Sequence, residues 1–399
     1  MGAPSPPTLL PIHERAEQDA LSYGIYVHFP WCRSRCLYCA FNVRVEADPR
    51  MADWAEGIRA EWALRAPTLP GRAHSLYFGG GTPSLAPPEL IASLVEAFPL
   101  QDGAERTLEV NPGSVDRAKL EAFIGAGIDR LSIGVQTFHA GHAKQLGRGH
   151  GRAEAEALLA LIPALPLRSW SFDLIFALPD QTLAELEQDL DRLLQVGPPH
   201  VSLYGLSYEP GTPLRRALDA GALQATDPEL WADMYACIGE RLGAAGYERY
   251  EISNFALPGH RSRHNEAVWR GGRYAGLGPG AHGFLPSGDR TVNHDGLADW
   301  LADPLGRAER PSPEEAAQDL LLSTLRHADG LRLDRLAAET GHALRAGAVA
   351  PLLQGGALVQ EGERLRLAPG AYALADGVVR RLAQGLRPVP PPAPTTRTA

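Results

Sequence analysis

Short apolar strand patterns alternate with amphipathic helix patterns through the first half of this 399-residue chain, and that alternation restricts the fold more than any other feature. Strand-like runs fall at Gly24 to Phe29, Ser75 to Phe78, Thr107 to Val110, Arg130 to Val135, Trp170 to Phe176 and His200 to Leu206. Between them, Asp53 to Arg65, Pro88 to Phe98, Asp116 to Gly125, Ala153 to Ile162 and Leu183 to Val196 place apolar residues at helical spacing. Strands in such a series pair in parallel through right-handed crossovers, because each helix carries the chain back to the same end of the sheet. The fold class is α/β. Periodicity alone leaves open whether the sheet closes into a barrel.

Three of the four cysteines lie in one stretch, Cys32-Arg-Ser-Arg-Cys36-Leu-Tyr-Cys39, directly after the first strand. Spacings of three and two residues fit a loop around an iron-sulfur cubane, with three thiolates leaving one iron open for a small molecule; a simple electron carrier would ordinarily supply four. Two other readings stand beside it. Structural zinc needs a fourth ligand, which His28 could supply, and a disulfide framework needs an oxidising compartment. Cys237, inside the helical pattern Leu230 to Leu242, reads as a small buried apolar residue. Arg33 and Arg35 could offset thiolate charge or be solvated loop residues.

A hydrophobic content of 44% can fill a sizeable core. The net charge is -9 with only two lysines, Lys119 and Lys144, which argues against nucleic acid as a partner and against a polybasic membrane anchor. No apolar run reaches transmembrane length, since Leu158 to Leu167 is broken by Pro163 and Pro166. The start is proline-rich, without a basic segment leading into an apolar one, and the expected location is the cytoplasm.

Polar residues and glycines recur at the carboxyl ends of successive strands, where parallel α/β barrels carry their sites. The cysteine loop follows strand one, Gly79-Gly80-Gly81-Thr82-Pro83 ends strand two, Glu109-Val-Asn-Pro strand three, Gly134-Val-Gln136 strand four and Phe172-Asp173 strand five. With the cysteines, this ordered set resembles the radical S-adenosylmethionine (SAM) superfamily, in its coproporphyrinogen-dehydrogenase-like branch. The resemblance implies a partial (βα)6 barrel and a 4Fe-4S cluster on Cys32, Cys36 and Cys39. It also implies SAM on the open iron, cleaved by one electron to a 5'-deoxyadenosyl radical. By the same resemblance Tyr26, Tyr38, Gly80, Gly81, Thr82, Glu109, Gln136, Arg148 and Asp173 match SAM-contacting positions, with Arg148 pairing to a carboxylate.

The dehydrogenases continue their motif with a fourth cysteine, where this chain has Cys39-Ala40-Phe41. That resembles the HemW-type haem chaperones, as does Arg263-His264-Asn265-Glu266-Ala267-Val268-Trp269, similar to their HNxxYW segment with valine replacing tyrosine. The resemblance implies haem bound through His264 and apo-haemoproteins as recipients; whether the chain forms a homodimer is open at the level of sequence. The alternatives are oxygen-independent oxidation of coproporphyrinogen III, and radical-SAM chemistry on another substrate.

The expected domains are an N-terminal extension (1–22), a barrel with C-terminal elaboration (23–310), a winged-helix-like domain (311–386) and a disordered proline-rich tail (387–399). In the third, helices are expected from Pro313 to Leu325, near Leu333 to Glu339 and near Ala343 to Leu353, followed by a hairpin over Ala357 to Leu367. Its balanced charge favours a packing or protein-interaction module over a DNA reader.

Overall fold

A computed structural model describes residues 22–149 and 151–389. Strands β1 (Tyr23–Phe29), β2 (Ala73–Gly80), β3 (Leu100–Val110), β4 (Arg130–Gln136), β5 (Ser169–Phe176) and β6 (His200–Gly205) lie side by side in chain order, all parallel. Alternate residues point to opposite faces of a strand. One face carries Ile25, Val27, Leu76, Phe78, Leu108, Leu131, Ile133 and Phe172, all without exposed surface, into the core. The other carries polar groups into the concavity: Tyr26, Tyr77, Glu109, Ser132 and Asp173 are linked there by ring contacts and hydrogen bonds. The strands are therefore buried on both sides but lined differently, apolar outside and polar within.

The sheet curls. Tyr204 on β6 comes within electrostatic reach of Tyr77 on β2, although a flat sheet would separate those strands by about 19 Å. The barrel is nevertheless open, because further strands extend the sheet at both sides. Beyond β6 come β8 (Asn254–Ala256) and β7 (Glu248–Arg249), both antiparallel. Beyond β1 come β9 (Arg273–Leu277), parallel to it, and then antiparallel β10 (His282–Phe284), β11 (Arg290–Val292) and β12 (Arg307–Glu309). The glycine-rich segment Gly271 to Gly283 supplies strands β9 and β10. Glycine is needed at Gly276, where a Cβ would lie 1.9 Å from the carbonyl oxygen of His282.

Glu61 ties this extension to the barrel. It is fully buried on helix Met51–Arg65 and accepts from Arg65 Nε, Gly278 N, Asn293 Nδ2 and Trp300 Nε1 at 2.7–2.9 Å. Burial raises its pKa, and a carboxylate so placed persists because its oxygens are saturated with donors.

Helices Pro313–Leu325, Leu333–Thr340 and Ala346–Gln354 lead into a hairpin of β15 (Leu358–Glu361) and β16 (Arg364–Leu367), against which β13 (Leu331–Arg332) pairs. This is the winged-helix arrangement expected, with the third helix starting later because β14 (His342–Leu344) occupies its first residues. Its partner is β17 (Leu386–Pro388), where the sequence reading begins a disordered tail. Arg387 and Pro388 are held instead in a two-stranded sheet, because backbone pairing to Ala343 and His342 needs no apolar side chain there. Residues 390–399 of that tail, like residues 1–21 of the N-terminal extension, lie outside the described residues. Cys237 is half-buried against the core rather than enclosed. Among the described residues no helix is long and apolar enough to cross a membrane.

Candidate functional site

The cysteine loop leaves β1 at Phe29 and is held by backbone hydrogen bonds. Cys32 N donates to Arg44 O (2.9 Å), Arg44 N to Pro30 O (2.6 Å), Gly81 N to Phe29 O (2.7 Å) and Thr82 N to Trp31 O (2.8 Å). The triple glycine follows from this proximity. A Cβ on Gly80, whose φ is +105°, would sit 2.5 Å from the His28 ring, and one on Gly81 would sit 2.5 Å from Trp31 O. The glycines therefore leave room for the loop. The amides of Gly80, Gly81 and Thr82 all donate to the protein, Gly80 N to Glu109 Oε2.

Cys32, Cys36 and Cys39 are free thiols, each half-buried, and burial pushes those of Cys32 and Cys39 up. Donors stand ready for a negatively charged sulfur: Thr82 Oγ1 and Arg148 Nη1 each lie 3.5 Å away, from Cys32 Sγ and Cys36 Sγ respectively. Such a donor set fits thiolates that hold a cluster. His28 is poorly placed to complete a zinc site. Its Nδ1 is bonded to Tyr26 Oη (3.0 Å) and its Nε2 to Asn42 O (2.9 Å). Arg33 and Arg35 are exposed and reach backbone carbonyls of Gly113 and Cys39, as solvated loop arginines do.

Around this loop the structure gathers Tyr38, Thr82, Glu109, Gln136, Arg148 and Asp173 at the carboxyl end of the barrel. Arg148 Nη2 donates to Gly134 O (2.5 Å) and Asn111 Oδ1 (2.9 Å), and Nη1 also reaches Tyr38 Oη (3.4 Å). Gln136 has a φ of 71°, beside a register shift between β4 and β5. A non-glycine residue in that left-handed region is strained, and strain of this kind gathers at functional sites.

The two carboxylates sit in the polar concavity. Burial is the largest influence pushing the Glu109 carboxyl up to about 7; the hydrogen bond from Tyr77 opposes it and neighbouring Asp173 adds to it. Burial also raises Asp173, whose Oδ2 accepts from Ser132 (2.9 Å) while its buried Oδ1 has no hydrogen-bond partner among the described residues. An unfilled buried acceptor suits a ligand hydroxyl such as one of the ribose of SAM, and Asp173 Oδ1 offers it.

Three residues were missed from sequence. Tyr77 donates to Glu109 Oε1 (2.9 Å), Asn111 bridges Arg148 and Thr82, and Tyr204, though 42% exposed, stands near enough to Asp173 to feel its charge. Alternation backwards from Gly79 would have turned Tyr77 inward, and Asn111 lies two residues after Glu109.

His264 is not with this group. It lies in the first turn of helix Arg263–Trp269, buried, with Nδ1 2.9 Å from Ser75 Oγ and its backbone N donating to Glu105. Its ring packs on Tyr77 and over Gly24, five residues back from Phe29, about 16 Å at the rise of a strand. Burial drops its pKa to about 3.

The family model "Radical SAM superfamily" matches residues 26–193, and "HemN C-terminal domain" matches 312–374. Radical S-adenosyl methionine domain-containing protein 1, mitochondrial, of Danio rerio is 39% identical over 294 residues, 72% of this chain and 66% of that protein. The chain thus spans a little under two thirds of that relative's length. Heme chaperone HemW of Mycobacterium tuberculosis (strain ATCC 25618 / H37Rv) is 36% identical over 375 residues, 90% of this chain and 94% of that protein. Among solved structures, coproporphyrinogen III oxidase (HemN) from Escherichia coli, described as a radical SAM enzyme, superposes with a TM-score of 0.78. It covers 93% of each chain at 20% identity, a likeness of fold.

Proposed function

The chain belongs to the radical SAM superfamily, in the family of the HemW proteins, and from that premise we propose that it is a haem chaperone which receives haem and passes it to apo-haemoproteins. The observation that carries this reading is the match along 94% of a protein named heme chaperone HemW. The cysteine loop agrees with it: Cys39 is followed by Ala40 and an exposed Phe41 rather than by a fourth thiol.

The family implies a 4Fe-4S cluster and SAM. Cys32, Cys36 and Cys39 would hold the cluster, which when reduced supplies an electron for one-electron chemistry on SAM. The chain's own part is to bind and orient. Arg148 brings a fixed cation to the thiolates and the strand-four carbonyl, while Glu109 and Asp173 offer carboxylate oxygens inside a buried, polar barrel. Such a protein would work in the cytoplasm, where reducing conditions keep the three thiols available.

A second reading, oxidative decarboxylation of coproporphyrinogen III, draws on the same fold. One anaerobic comparison separates the two. The reconstituted protein should transfer haem to an apo-haemoprotein and form no protoporphyrinogen from coproporphyrinogen III with SAM and reductant. Turnover of coproporphyrinogen without haem transfer would replace the first reading by the second.

A further inference from the structure

A crevice of about 410 Å³, toward the lower end of the range of ligand pockets, opens between the inner face of β9–β12 and the first helix of the C-terminal domain. We propose that this crevice, and not the buried surroundings of His264, is where the protein holds haem, with His282 as the axial ligand and Arg273 facing a propionate. The proposal rests on the haem-chaperone reading and names the site it uses.

Holding an iron porphyrin calls for an accessible imidazole, a flat apolar slot and a cation for at least one of its two carboxylates. His282 is exposed on β10, lines the crevice, and its ring has no hydrogen-bond partner among the described residues. His264 offers none of this. It is 5% exposed, its Nδ1 is taken up by Ser75, and its ring lies so close to Gly24 that a Cβ there would touch it at 3.0 Å.

The walls of the crevice are apolar where a macrocycle would lie. Val268, Tyr274, Phe284 and Leu320 line it, and Leu322, also in the lining, keeps 48% of its surface exposed. Val268 is the residue that stands in place of tyrosine in the His264 segment, so the departure from the family pattern falls in this wall.

The charge also fits. Arg273 stacks on Phe284, its guanidinium carbon 3.7 Å from the ring centroid, and has no carboxylate within ion-pair distance among the described residues. The charges it feels are one anion, Glu339, against two cations, Arg335 and Arg310. Arg290, by contrast, is already engaged by Asp319. The crevice therefore keeps one unneutralised guanidinium over an aromatic wall, in reach of the groove that holds His282.

The test is a titration of hemin into the full-length protein, with the absorption spectrum read for the Soret band. Wild type should saturate with a histidine-ligated spectrum. His282→Ala should lose that spectrum and weaken binding on the order of tenfold or more, the scale on which disturbing a metal's ligand environment acts. Arg273→Ala should weaken binding while leaving the spectrum as it is. Both side chains lie in the crevice rather than in the core, so melting curves should match wild type and exclude misfolding. Saturable wild-type binding that neither substitution alters would overturn the crevice and leave the chaperone reading standing. No saturable binding by wild type would remove both.

Discussion

The guanidinium of Arg148 approaches the sulfur of Cys36 to 3.5 Å while being clamped from the other side by Gly134 O and Asn111 Oδ1. The cation is thus part of the cluster loop's surroundings. A fixed positive charge beside a thiolate ligand favours the reduced, more negative cluster. Arg148→Met should therefore retain iron and sulfide but lower the reduction potential. A redox titration followed by electron paramagnetic resonance would measure it, and an unchanged potential would show that the charge is screened from the cluster.

Three thiols are the minimum for a cluster with one open iron, so each should be indispensable. Cys32→Ala, Cys36→Ala and Cys39→Ala should each lose most bound iron and the visible absorption of the reconstituted protein. Cys237→Ala should keep both, since it packs at the edge of the core on helix Pro228–Ala244. A full iron load in Cys39→Ala would show that another residue ligates.

The two half-buried carboxylates should contribute separately to SAM affinity. Asp173→Ala removes an acceptor oxygen with no protein partner, and Glu109→Ala removes the partner of both Tyr77 and Gly80. Each should weaken SAM binding by about 1–3 kcal/mol, the scale of a lost buried polar contact. Calorimetry on the cluster-loaded variants measures it; equal affinity in wild type and both variants would place SAM elsewhere.

What was legible in the sequence was local. The cysteine spacing, Gly79 to Thr82, Glu109 and Asp173 each stand at or near the end of a strand whose apolar run marks it, and strand ends in a parallel barrel converge. The partners of Arg148 were not legible, because Cys36 lies 112 residues away and only the closed fold brings them together. Tyr77 reads as an ordinary β-former until the face it occupies is known. β9 was missed for a related reason. Its five residues include Gly276, and it is a strand because β1, some 250 residues earlier in the chain, offers a free edge. β17 likewise exists through its pairing with His342 to Leu344, not through its own composition.

His264 gives the fold a built-in acid sensitivity. In the folded chain burial holds its pKa at about 3, while in the unfolded chain it titrates near about 6.5. Between those values the unfolded state binds a proton that the folded state refuses, so stability is fully present above about 6.5 and falls as pH drops toward 3. His264→Gln keeps a polar partner for Ser75 but cannot take up a proton. It should be less stable than wild type at pH 8, from lost packing on Tyr77 and Tyr274. That gap should then narrow by about 2 kcal/mol on going to pH 5, at about 1.4 kcal/mol for each pH unit below 6.5. Other buried histidines, His200 among them, titrate alike in both proteins, so the difference between the two curves isolates this one. Urea denaturation at a series of pH values supplies the curves. A gap that stays constant from pH 8 to 5 would mean that the His264 imidazole takes up its proton in the folded chain as readily as in the unfolded one.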